Sequence, residues 1–407
     1  MEPDVMRSLP EWLTENYIAN LLCKEQRRHV PTKILDVSCA SEPGDNYLGS
    51  VYRIKVECCS LEKDLIVKIM PNERDGCKFI SSFGVFQREL DMYHKVLPKL
   101  YSVMKDKSGH IEYFSPYCYP TTRTDAIILE DLKPLGYHMA DRKKQLDMDH
   151  ALLVLSTLAK LHAFSYIMGP ESIKHYHDVF FSKEIRHLSG GFLTSIVKSL
   201  CRTVSTWKGF EDCASNLWCF SESAIEHIND DVAPREDSFC VLNHGYCWTT
   251  NFLFRYCPDT GTLLDMKLID FQLGRYSSPA LDLIFFFHTS LRLDVWKQQD
   301  KLLKHYHDEL TRWLASSGCS PNVYTYQDLQ KDMTEKVSYA LAISSTVLAI
   351  ALAGPGEEPN LEKLLLESSE SQTSEYHNAQ STHLYREIMQ VFLTSFDKKG
   401  LFKLCDK

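Results

Sequence analysis

Two short segments in the second half of the chain combine an amide and a carboxylate in a way that suits metal and phosphate chemistry. They are HGYCWTTN, residues 244–251, and LIDF, residues 268–271, and the turn-forming CPDTGT between them predicts a hairpin. An asparagine after one strand and an aspartate after its partner would bring two hard oxygen ligands together, the donor type that Mg²⁺ takes when it bridges phosphates. Asn251 and Asp270 are therefore the candidate metal ligands and candidate catalytic residues.

A lysine and a glutamate in the first quarter of the chain fit the same chemistry. Lys68 lies in the strand-like run DLIVKIM, where alternation places its ammonium on the inner face, within reach of α- and β-phosphates. Glu89 lies three residues after Phe86 and four before Tyr93, so it borders the apolar stripe of a helix, where a carboxylate wants a cationic partner. Taken singly, each residue also fits a solvated surface position. Together they predict an ion pair in a phosphate site.

Two weaker patterns also fit nucleotide binding. The segment GDNYLGS offers glycines and small polar residues at a strand turn, where backbone amides can approach phosphates, and its candidates are Gly44, Asn46 and Ser50. Most such turns are only hairpins. In IILEDL an apolar strand breaks into Glu130 and Asp131, as expected of a connector between lobes where backbone groups can bind adenine.

The elements that must position these residues begin with a sheet. Residues 10 to 25 predict a short amphipathic helix, and residues 33 to 70 predict an antiparallel sheet. The apolar stripe that begins at Phe79 predicts one helix that ends before Pro98. A second strand pair is expected to end in residues 125–132.

The rest of the chain has mainly helical patterns. A strongly apolar helix is predicted over residues 148–168, with further helices in 180–230 and 290–350 and two strand-like segments between them. Sheet first and helices afterwards predict an α+β fold with a small antiparallel-sheet lobe and a larger, mainly helical lobe. The first lobe is expected to span residues 1–132 and the second lobe residues 133–407. The hairpin, within the second lobe, is expected at residues 239–272.

Composition excludes several classes of function. The net charge of -9 argues against nucleic acid as a partner. The 14 cysteines are scattered in a chain too large to need disulfides, so reduced, mostly buried thiols are expected. The amino-terminal segment has no export signal, which predicts a cytoplasmic protein. Residues 338–354 contain several Ser and Thr and are too short for a membrane span, so they predict a buried helix.

The order of these motifs resembles a known family. HGYCWTTNFLFRY followed by KLIDFQLGRYSSPALDL is similar to the ecdysteroid kinase-like branch of the choline kinase and aminoglycoside phosphotransferase superfamily, and GDNYLGSVYRIKV, FQRELDMY, ILEDLKPLGY and LAKLHAFS fall in the family's order. The resemblance implies a two-lobed protein-kinase-like fold. It also implies transfer of the ATP γ-phosphate to a hydroxyl of a steroid or other small hydrophobic alcohol, with ATP and Mg²⁺ as cofactors.

The resemblance assigns roles by position. Lys68 and Glu89 would form the phosphate-positioning ion pair, and Asn251 and Asp270 would hold magnesium. The segment from 130 to 132 would frame the adenine. The acceptor pocket is expected between the hairpin and the helices of the second lobe.

The chain departs from the family pattern at the catalytic base. The pattern is His-Gly-Asp, and Tyr246 stands where the aspartate belongs, five residues before Asn251. A neutral phenol with a pKa near 10 cannot accept a proton usefully at about pH 7. Asp265 and Asp259 lie too far along the hairpin to replace it. By the same resemblance His244 holds the catalytic loop, and Asp282 ties that loop down from the following helix.

The substitution leaves two classes of function open. One is a phosphotransferase with greatly reduced activity, and the other is a catalytically inactive pseudokinase that binds a nucleotide, a ligand or a regulatory partner. A recent or allelic change in a working enzyme, or a loop that rearranges so that another group serves, would also account for the tyrosine. No motif in the sequence identifies the acceptor, the oligomeric state or the role of residues 355–376.

Two other patterns are given structural readings. HYHD occurs at 175–178 and again at 305–308, and paired histidines two residues apart on a helix point in different directions, which favours structural or surface roles over metal binding. A serine hydrolase is excluded because the chain has no Gly-x-Ser-x-Gly elbow.

Overall fold

The first lobe is a four-stranded antiparallel sheet in the order β1-β2-β3-β4. The computed structural model describes residues 9–22, 31–40, 50–58, 60–70, 83–179, 186–235, 238–320, 322–354 and 377–406. The strands are β1 Thr32–Cys39, β2 Ser50–Cys58, β3 Leu61–Ile69 and β4 Ala126–Glu130. The antiparallel sheet predicted for the start of the chain is confirmed.

One face of this sheet forms a small core of its own. Along β2 the alternating residues Tyr52, Ile54 and Val56 are buried, because successive side chains of a strand point to opposite faces. Helix α1, Glu15–Leu22, covers the same face with the buried Ile18. The predicted amphipathic helix is therefore present, and it is shorter than its sequence pattern.

The helix that carries Glu89 runs further than predicted. It consists of α2 Val85–Asp91, a π-helical turn Met92–Val96 and α3 Leu97–Ser108, so the prediction that it ends before Pro98 is wrong. Pro98 occupies the first turn of α3, where a missing N–H is tolerated, and a π turn precedes that helix. Phe79, where the apolar stripe begins, lies outside the described residues.

The strand pair expected to end in residues 125–132 is only half present. β4 pairs with β3, but the segment before it contributes a single isolated bridge, from Cys118 to Leu129. Pro116 and Pro120 lie in that segment, and a proline cannot donate to a strand ladder. The prediction of a second regular strand pair is therefore wrong.

The second lobe contains two small sheets, and their pairing differs from the predicted one. The sheets have the orders β5-β7-β8 and β6-β9. Their strands are β5 Tyr137–Met139, β6 Val241–Asn243, β7 Phe252–Tyr256, β8 Leu263–Leu268 and β9 Arg275–Ser277. The hairpin is β7-β8, so Asn251 precedes its first strand, and the prediction that Asn251 follows a strand is wrong. The chain leaves β6 at Gly245, with φ of 82°, and makes a 3₁₀ turn before the alternation resumes at Phe252.

Helices make up most of the second lobe, which confirms the predicted α+β architecture. They are α4 Met148–Met168, α5 Arg186–Val204, α6 Glu211–Ser221, α7 Ala224–Val232, α8 Ala280–Thr289, α9 Leu293–Trp296, α10 Gln299–Ser316, α11 Tyr326–Glu335, α12 Val337–Leu352 and α13 His383–Lys398. Every residue of α8 is buried, so this helix forms the centre of the lobe. The expected boundary between the lobes at residue 132 stays a prediction.

Two apolar helices are relevant to the membrane question. Within the described residues, α4 is the helix long and apolar enough to cross a membrane, and 61 % of its most apolar window is buried inside the protein, as is usual for core helices. The segment predicted as a buried helix is α12, and nearly all of its side chains are buried. α11 and α12 together also pass the length and composition test, but they are bent by 60° at their junction. The cytoplasmic location stays a prediction.

The cysteines in the described part of the chain are free thiols. Those that are buried are Cys58, Cys201, Cys240 and Cys247, and the others are half-buried or exposed. Among the cysteines whose burial the structure describes, the expectation that the thiols are mostly buried is not confirmed.

A buried histidine on α8 makes folding sensitive to acid. His288 packs against Phe392 and Phe396, and its Nδ1 donates to Ile284 O at 2.8 Å. Burial lowers the pKa of His288 to about 3, and the nearby Lys399 adds to the effect. Because the folded-state pKa lies below the unfolded one, the stabilisation is complete above about pH 6.5 and is lost as the pH falls from there towards 3.

Replacing His288 with phenylalanine is therefore expected to flatten this acid sensitivity. Between pH 7.5 and pH 5, His288 should account for a loss of about 2 kcal/mol in the free energy of unfolding, and His288→Phe should remove that part. Urea unfolding at both pH values measures it. His383→Phe is the matched control, because the side chain of His383 is 85 % exposed. Equal pH slopes for the wild type and His288→Phe would contradict the assignment.

Candidate functional site

Lys68 lies at the centre of the candidate site, between two carboxylates. Alternation along β3 buries Leu65 and Val67 on one face and directs Lys68 to the other. Its Nζ donates to Glu89 Oε2 at 2.5 Å and to Asp270 Oδ1 at 3.0 Å. The ion pair expected between Lys68 and Glu89 is present, and the same ammonium reaches the candidate metal ligand.

The charges in this cluster are strongly coupled. Burial disfavours the ammonium of Lys68, but the carboxylates of Asp270 and Glu89 outweigh that effect and raise its pKa above the usual value. Burial raises the pKa of Glu89 to about 7, against the opposing influence of Lys68, and the negative charge of Asp270 contributes to the rise. One ammonium group therefore faces two carboxylates. The excess of negative charge favours binding of a further cation beside Asp270.

Asp270 is held in an unusual backbone conformation at the end of β8. Its φ is 67°, in the left-handed region that residues other than glycine rarely adopt. The residue leads into the 3₁₀ turn Phe271–Leu273, and Gln272 Nε2 donates to Asp270 Oδ2 at 3.0 Å. Such strained positions persist where the surrounding structure fixes them, and they cluster at functional sites.

Asn251 lies beside Asp270 at the open end of the hairpin. Phe252 pairs with Leu268 in the hairpin, and Ile269 N donates to Asn251 O at 3.1 Å. Asn251 therefore lies opposite Ile269, the residue next to Asp270. Asn251 Nδ2 donates to the main-chain oxygen of Tyr246 at 2.9 Å, which leaves the amide oxygen as the atom available to a cation.

The donor set of Asn251 and Asp270 fits Mg²⁺. No group of three or more His, Cys, Asp or Glu side chains in the described ranges could hold a metal by itself. Mg²⁺ does not need one, because it keeps several waters and is usually bound through one or two protein oxygens together with phosphate oxygens. A carboxylate and an amide oxygen next to Lys68 are suited to an ion that arrives with a nucleotide.

The loop between β6 and β7 is fixed by one buried carboxylate. Asp282, on α8, accepts hydrogen bonds from His244 N at 2.7 Å and Gly245 N at 2.8 Å. His162 Nε2 lies 3.1 Å from Asp282 Oδ2, and its Nδ1 lies 2.7 Å from Tyr306 OH. The contact from Asp282 to the loop that the family resemblance implied is therefore present.

Two details of this loop restrict its sequence. Gly245 has φ of 82°, and a Cβ there would lie 2.0 Å from Leu273 O, so only glycine fits. Burial lowers the pKa of His244, which is therefore neutral. With Nε2 donating to Ile269 O at 2.9 Å, its Nδ1 is the acceptor for Tyr246 N at 3.3 Å. His244 holds the loop to the segment between β8 and Asp270, as the resemblance implied.

Tyr246 packs its ring among other aromatic side chains. The half-buried ring stacks on Trp248 at a centroid distance of 5.6 Å and meets Phe285 edge-on at 5.9 Å. The carboxylate of Asp265 is engaged elsewhere, with Tyr137 OH at 2.5 Å and Lys267 Nζ at 2.7 Å. Asp265 is therefore no substitute for the missing base.

The predicted connector between the lobes is tied to the sheet by Asp131. This buried carboxylate pairs with Arg53, and Asp131 N donates to Asp64 O at 3.0 Å. Glu130 ends β4 and is half-buried. Leu132 is buried, and its carbonyl accepts from Leu135 N at 3.0 Å. The adenine-framing role of Glu130 and Leu132 stays a prediction.

The candidate phosphate loop can be placed only at its end. Ser50 is exposed and begins β2, where it pairs with Ile69, one residue from Lys68. Gly44 and Asn46 lie outside the described residues. Ser50 is thus on the strand pair that carries Lys68, which is where a phosphate-contacting residue would have to lie.

The sequence does not predict a role for three side chains around the site, which are His162, Gln272 and Arg88. His162 sits in an apolar helix, where a single histidine more often has a structural role. Gln272 follows Asp270 by two residues, and its contact depends on the left-handed conformation that the sequence does not reveal. Arg88 precedes Glu89, and a charge beside a helix stripe is usually a solvated one.

Comparison with known proteins places the chain in a family. The model of the ecdysteroid kinase-like family matches residues 43–319, which is more than half of the chain and includes Lys68, Glu89, Asn251 and Asp270. A search of curated protein sequences finds no match.

Solved structures with a similar layout have low identity to the chain. An ethanolamine kinase from Plasmodium vivax is 13 % identical, with a TM-score of 0.40, over 92 % of this chain and 88 % of that chain. A choline kinase from Cryptosporidium parvum Iowa II is 12 % identical, with a TM-score of 0.43, over 89 % of this chain and 93 % of that chain. A spectinomycin phosphotransferase solved with ADP and spectinomycin is 12 % identical, with a TM-score of 0.44, over 92 % of this chain and 97 % of that chain. Similarity at this level leaves the function to be argued from the chain's own residues.

Proposed function

The chain belongs to the ecdysteroid kinase-like family, and from that premise we propose that it binds ATP with Mg²⁺ and transfers the γ-phosphate slowly to a hydroxyl of a small acceptor. The observation that carries the proposal is the position of Lys68, whose ammonium contacts both Glu89 and Asp270. A charged lysine fixed by a helix glutamate and placed beside a carboxylate metal ligand is the arrangement that phosphoryl transfer requires.

Each residue of the cluster has a distinct task in this proposal. Lys68 binds the α- and β-phosphates, and Glu89 fixes the direction of the ammonium. Asp270 and Asn251 would supply oxygen atoms to Mg²⁺, and the bond from Asn251 Nδ2 to the main chain of Tyr246 leaves the amide oxygen available as a ligand. Mg²⁺, when bound, neutralises charge on the phosphates.

Tyr246 explains why the transfer is slow. A phenol is neutral at physiological pH and does not take the proton of the attacking hydroxyl. A positioned general base contributes about 10² to 10⁴ to a rate, whereas positioning and charge neutralisation contribute most of the catalysis in phosphoryl transfer. The lysine, the helix glutamate and the two metal ligands remain in place, so nucleotide binding survives and turnover falls.

The acceptor that we propose is a small hydrophobic alcohol of the steroid type. The family name refers to ecdysteroids, and the ring of Tyr246 with its neighbours Trp248 and Phe285 gives the base position an apolar, aromatic character. Such surroundings favour the flat apolar skeleton of a steroid over a highly charged acceptor.

A second function rests on the same tyrosine. If no group takes the proton, the chain is a pseudokinase that binds a nucleotide or another ligand without turnover. Two carboxylates near the loop are already bonded to other groups. Asp265 bonds to Tyr137 and Lys267, and Asp282 bonds to the loop. Neither is available as a base, which supports this second function.

Isothermal titration with ATP in the presence of MgCl₂ tests nucleotide binding. Asp270→Asn is expected to weaken ATP binding at least about tenfold with Mg²⁺, because an amide is a poorer metal ligand than a carboxylate, and to change it much less in EDTA. Asp265→Asn is the matched control, since Asp265 lies in the same hairpin and bonds to Tyr137 and Lys267. If the wild type does not bind ATP at millimolar concentration, the proposed phosphotransferase is contradicted, and so is a pseudokinase that binds a nucleotide.

A further inference from the structure

Arg88 links the helix that carries Glu89 to the second lobe. Its Nη1 donates to His177 O at 2.5 Å and to Gly274 O at 2.9 Å, and the guanidinium lies 5.6 Å from the centre of the Tyr176 ring. Gly274 follows the turn that begins at Asp270. A single side chain on α2 therefore holds two separate segments of the second lobe.

The first of those segments is itself fixed deep in the second lobe. Asp178 forms a buried ion pair with Arg275, which also donates to Tyr339 OH on α12. Tyr276 N donates to Tyr176 O at 2.8 Å. The first HYHD segment is thus bonded to β9 and, through Arg275, linked to α12, so Arg88 is attached to a segment with several bonds of its own.

The second contact acts on the turn next to the metal ligand. Tyr93, one turn after Glu89 on the π-helical part of the helix, packs edge-on against Phe271 at 5.5 Å. The bond from Arg88 to Gly274 O closes the other end of the same turn. Helix α2 and the turn after Asp270 are therefore linked at both ends of that turn, and Lys68 bonds to Glu89 on the helix and to Asp270 before the turn.

We propose that Arg88 is a positioning residue of the nucleotide site, which holds α2 against the 176–178 segment and Gly274 so that Glu89 stays within reach of Lys68. The inference rests on the proposed function for its effect on ATP. If α2 shifts away, Lys68 loses Glu89 and keeps only Asp270. The ammonium then competes with Mg²⁺ for that carboxylate, and the nucleotide is bound less tightly.

Arg88→Ala is expected to weaken ATP binding in MgCl₂ at least about tenfold, and Arg88→Lys should restore part of the loss. The matched control is Arg142→Ala, because Arg142 also donates to main-chain carbonyls, those of Ile350 and Ala351, but far along the chain from the site. Unchanged ATP affinity in Arg88→Ala would overturn the proposal.

A double-mutant cycle shows whether Arg88 acts through Glu89. Glu89→Gln alone should weaken ATP binding, and Arg88→Ala should then add little, because the contact it supports is already lost. If the two losses add in full, Arg88 acts by another route and the inference is wrong.

Hydrogen exchange of the nucleotide-free protein separates this inference from the proposed function. The amides of α2, Val85–Asp91, should exchange at least about tenfold faster in Arg88→Ala than in the wild type, and Arg142→Ala should leave them unchanged. Faster exchange without any ATP binding by the wild type would support the anchor and contradict the nucleotide site. Unchanged exchange would overturn the anchor whatever the ATP titration gives.

Discussion

Replacing Tyr246 with aspartate is expected to raise the rate of phosphoryl transfer at least about 100-fold. The main chain of this residue is held on both sides, by His244 Nδ1 at 3.3 Å and by Asn251 Nδ2 at 2.9 Å. A shorter side chain therefore starts from the same backbone position, and its carboxylate is ionised at neutral pH. The ring contacts with Trp248 and Phe285 are lost, at a cost of about 1 kcal/mol in stability.

Tyr246→Asn is the matched control for this gain. Asparagine has the size of aspartate and no basicity, so it removes the same ring contacts without adding a proton acceptor. Initial rates of ADP formation with hydroxylated steroids and other hydrophobic alcohols, and without acceptor, measure the difference. Equal rates for Tyr246→Asp and Tyr246→Asn would show that the proton acceptor is not what limits turnover.

The same experiment separates the two proposed functions. A slow phosphotransferase gains rate with Tyr246→Asp because Lys68, Glu89, Asn251 and Asp270 already hold the nucleotide. A pseudokinase whose acceptor pocket has also been lost binds ATP as before and gains nothing. ATP affinity should therefore be nearly the same in the wild type and in Tyr246→Asp in either case.

The residues on strictly periodic elements were the most predictable part of the site. Lys68 follows from alternation in β3 and Glu89 from the stripe of α2, because these periods fix which way a side chain points. The third member, Asp270, lies 202 residues from Lys68, and no sequence pattern shows that the two meet. That contact requires the two lobes to be packed together.

The hairpin shows how a correct juxtaposition can follow from a wrong strand assignment. The sequence pattern predicts that Asn251 follows a strand, whereas it precedes β7, because the left-handed Gly245 and a 3₁₀ turn interrupt the chain after β6. Asn251 and Asp270 still meet, since the residues at the open end of any hairpin are neighbours. The pairing of β6 with β9 is long-range and leaves no local signal.

The continuation of the Glu89 helix past Pro98 could not be predicted from local rules. Proline usually ends a helix because it lacks an N–H and its ring meets the preceding carbonyl. Here a π turn, Met92–Val96, ends two residues before the proline and changes the hydrogen-bond register, with Leu97 N donating to Met92 O. Tyr93 and Leu100, which lie before and after Pro98, are both buried, so the helix is packed against the core on both sides of the proline.

Asp282→Ala is expected to lower the free energy of unfolding by about 3 to 5 kcal/mol, because one fully buried carboxylate satisfies several buried donors. Burial alone would raise the pKa of Asp282, but the hydrogen bond from His162 and the charges around it outweigh that effect and lower it. Removing the carboxylate leaves the main-chain N–H groups of His244 and Gly245 and the ring of His162 without their shared acceptor.

Asp328→Ala provides the matched control for that loss. Asp328 also accepts hydrogen bonds, from Thr325 N at 2.9 Å and Thr325 Oγ1 at 2.6 Å, but it does so at the solvent-exposed start of α11. Its removal should cost only about 1 kcal/mol, as for other helix caps. Urea unfolding of both variants at pH 7.5 gives the comparison, and equal losses would mean that Asp282 does not hold the loop.

If the loss is as large as expected, ATP binding measured below the unfolding temperature should also fall in Asp282→Ala. The reason is that the same loop carries Asn251, whose amide group is oriented by its bond to the main chain of Tyr246 and whose oxygen would hold Mg²⁺.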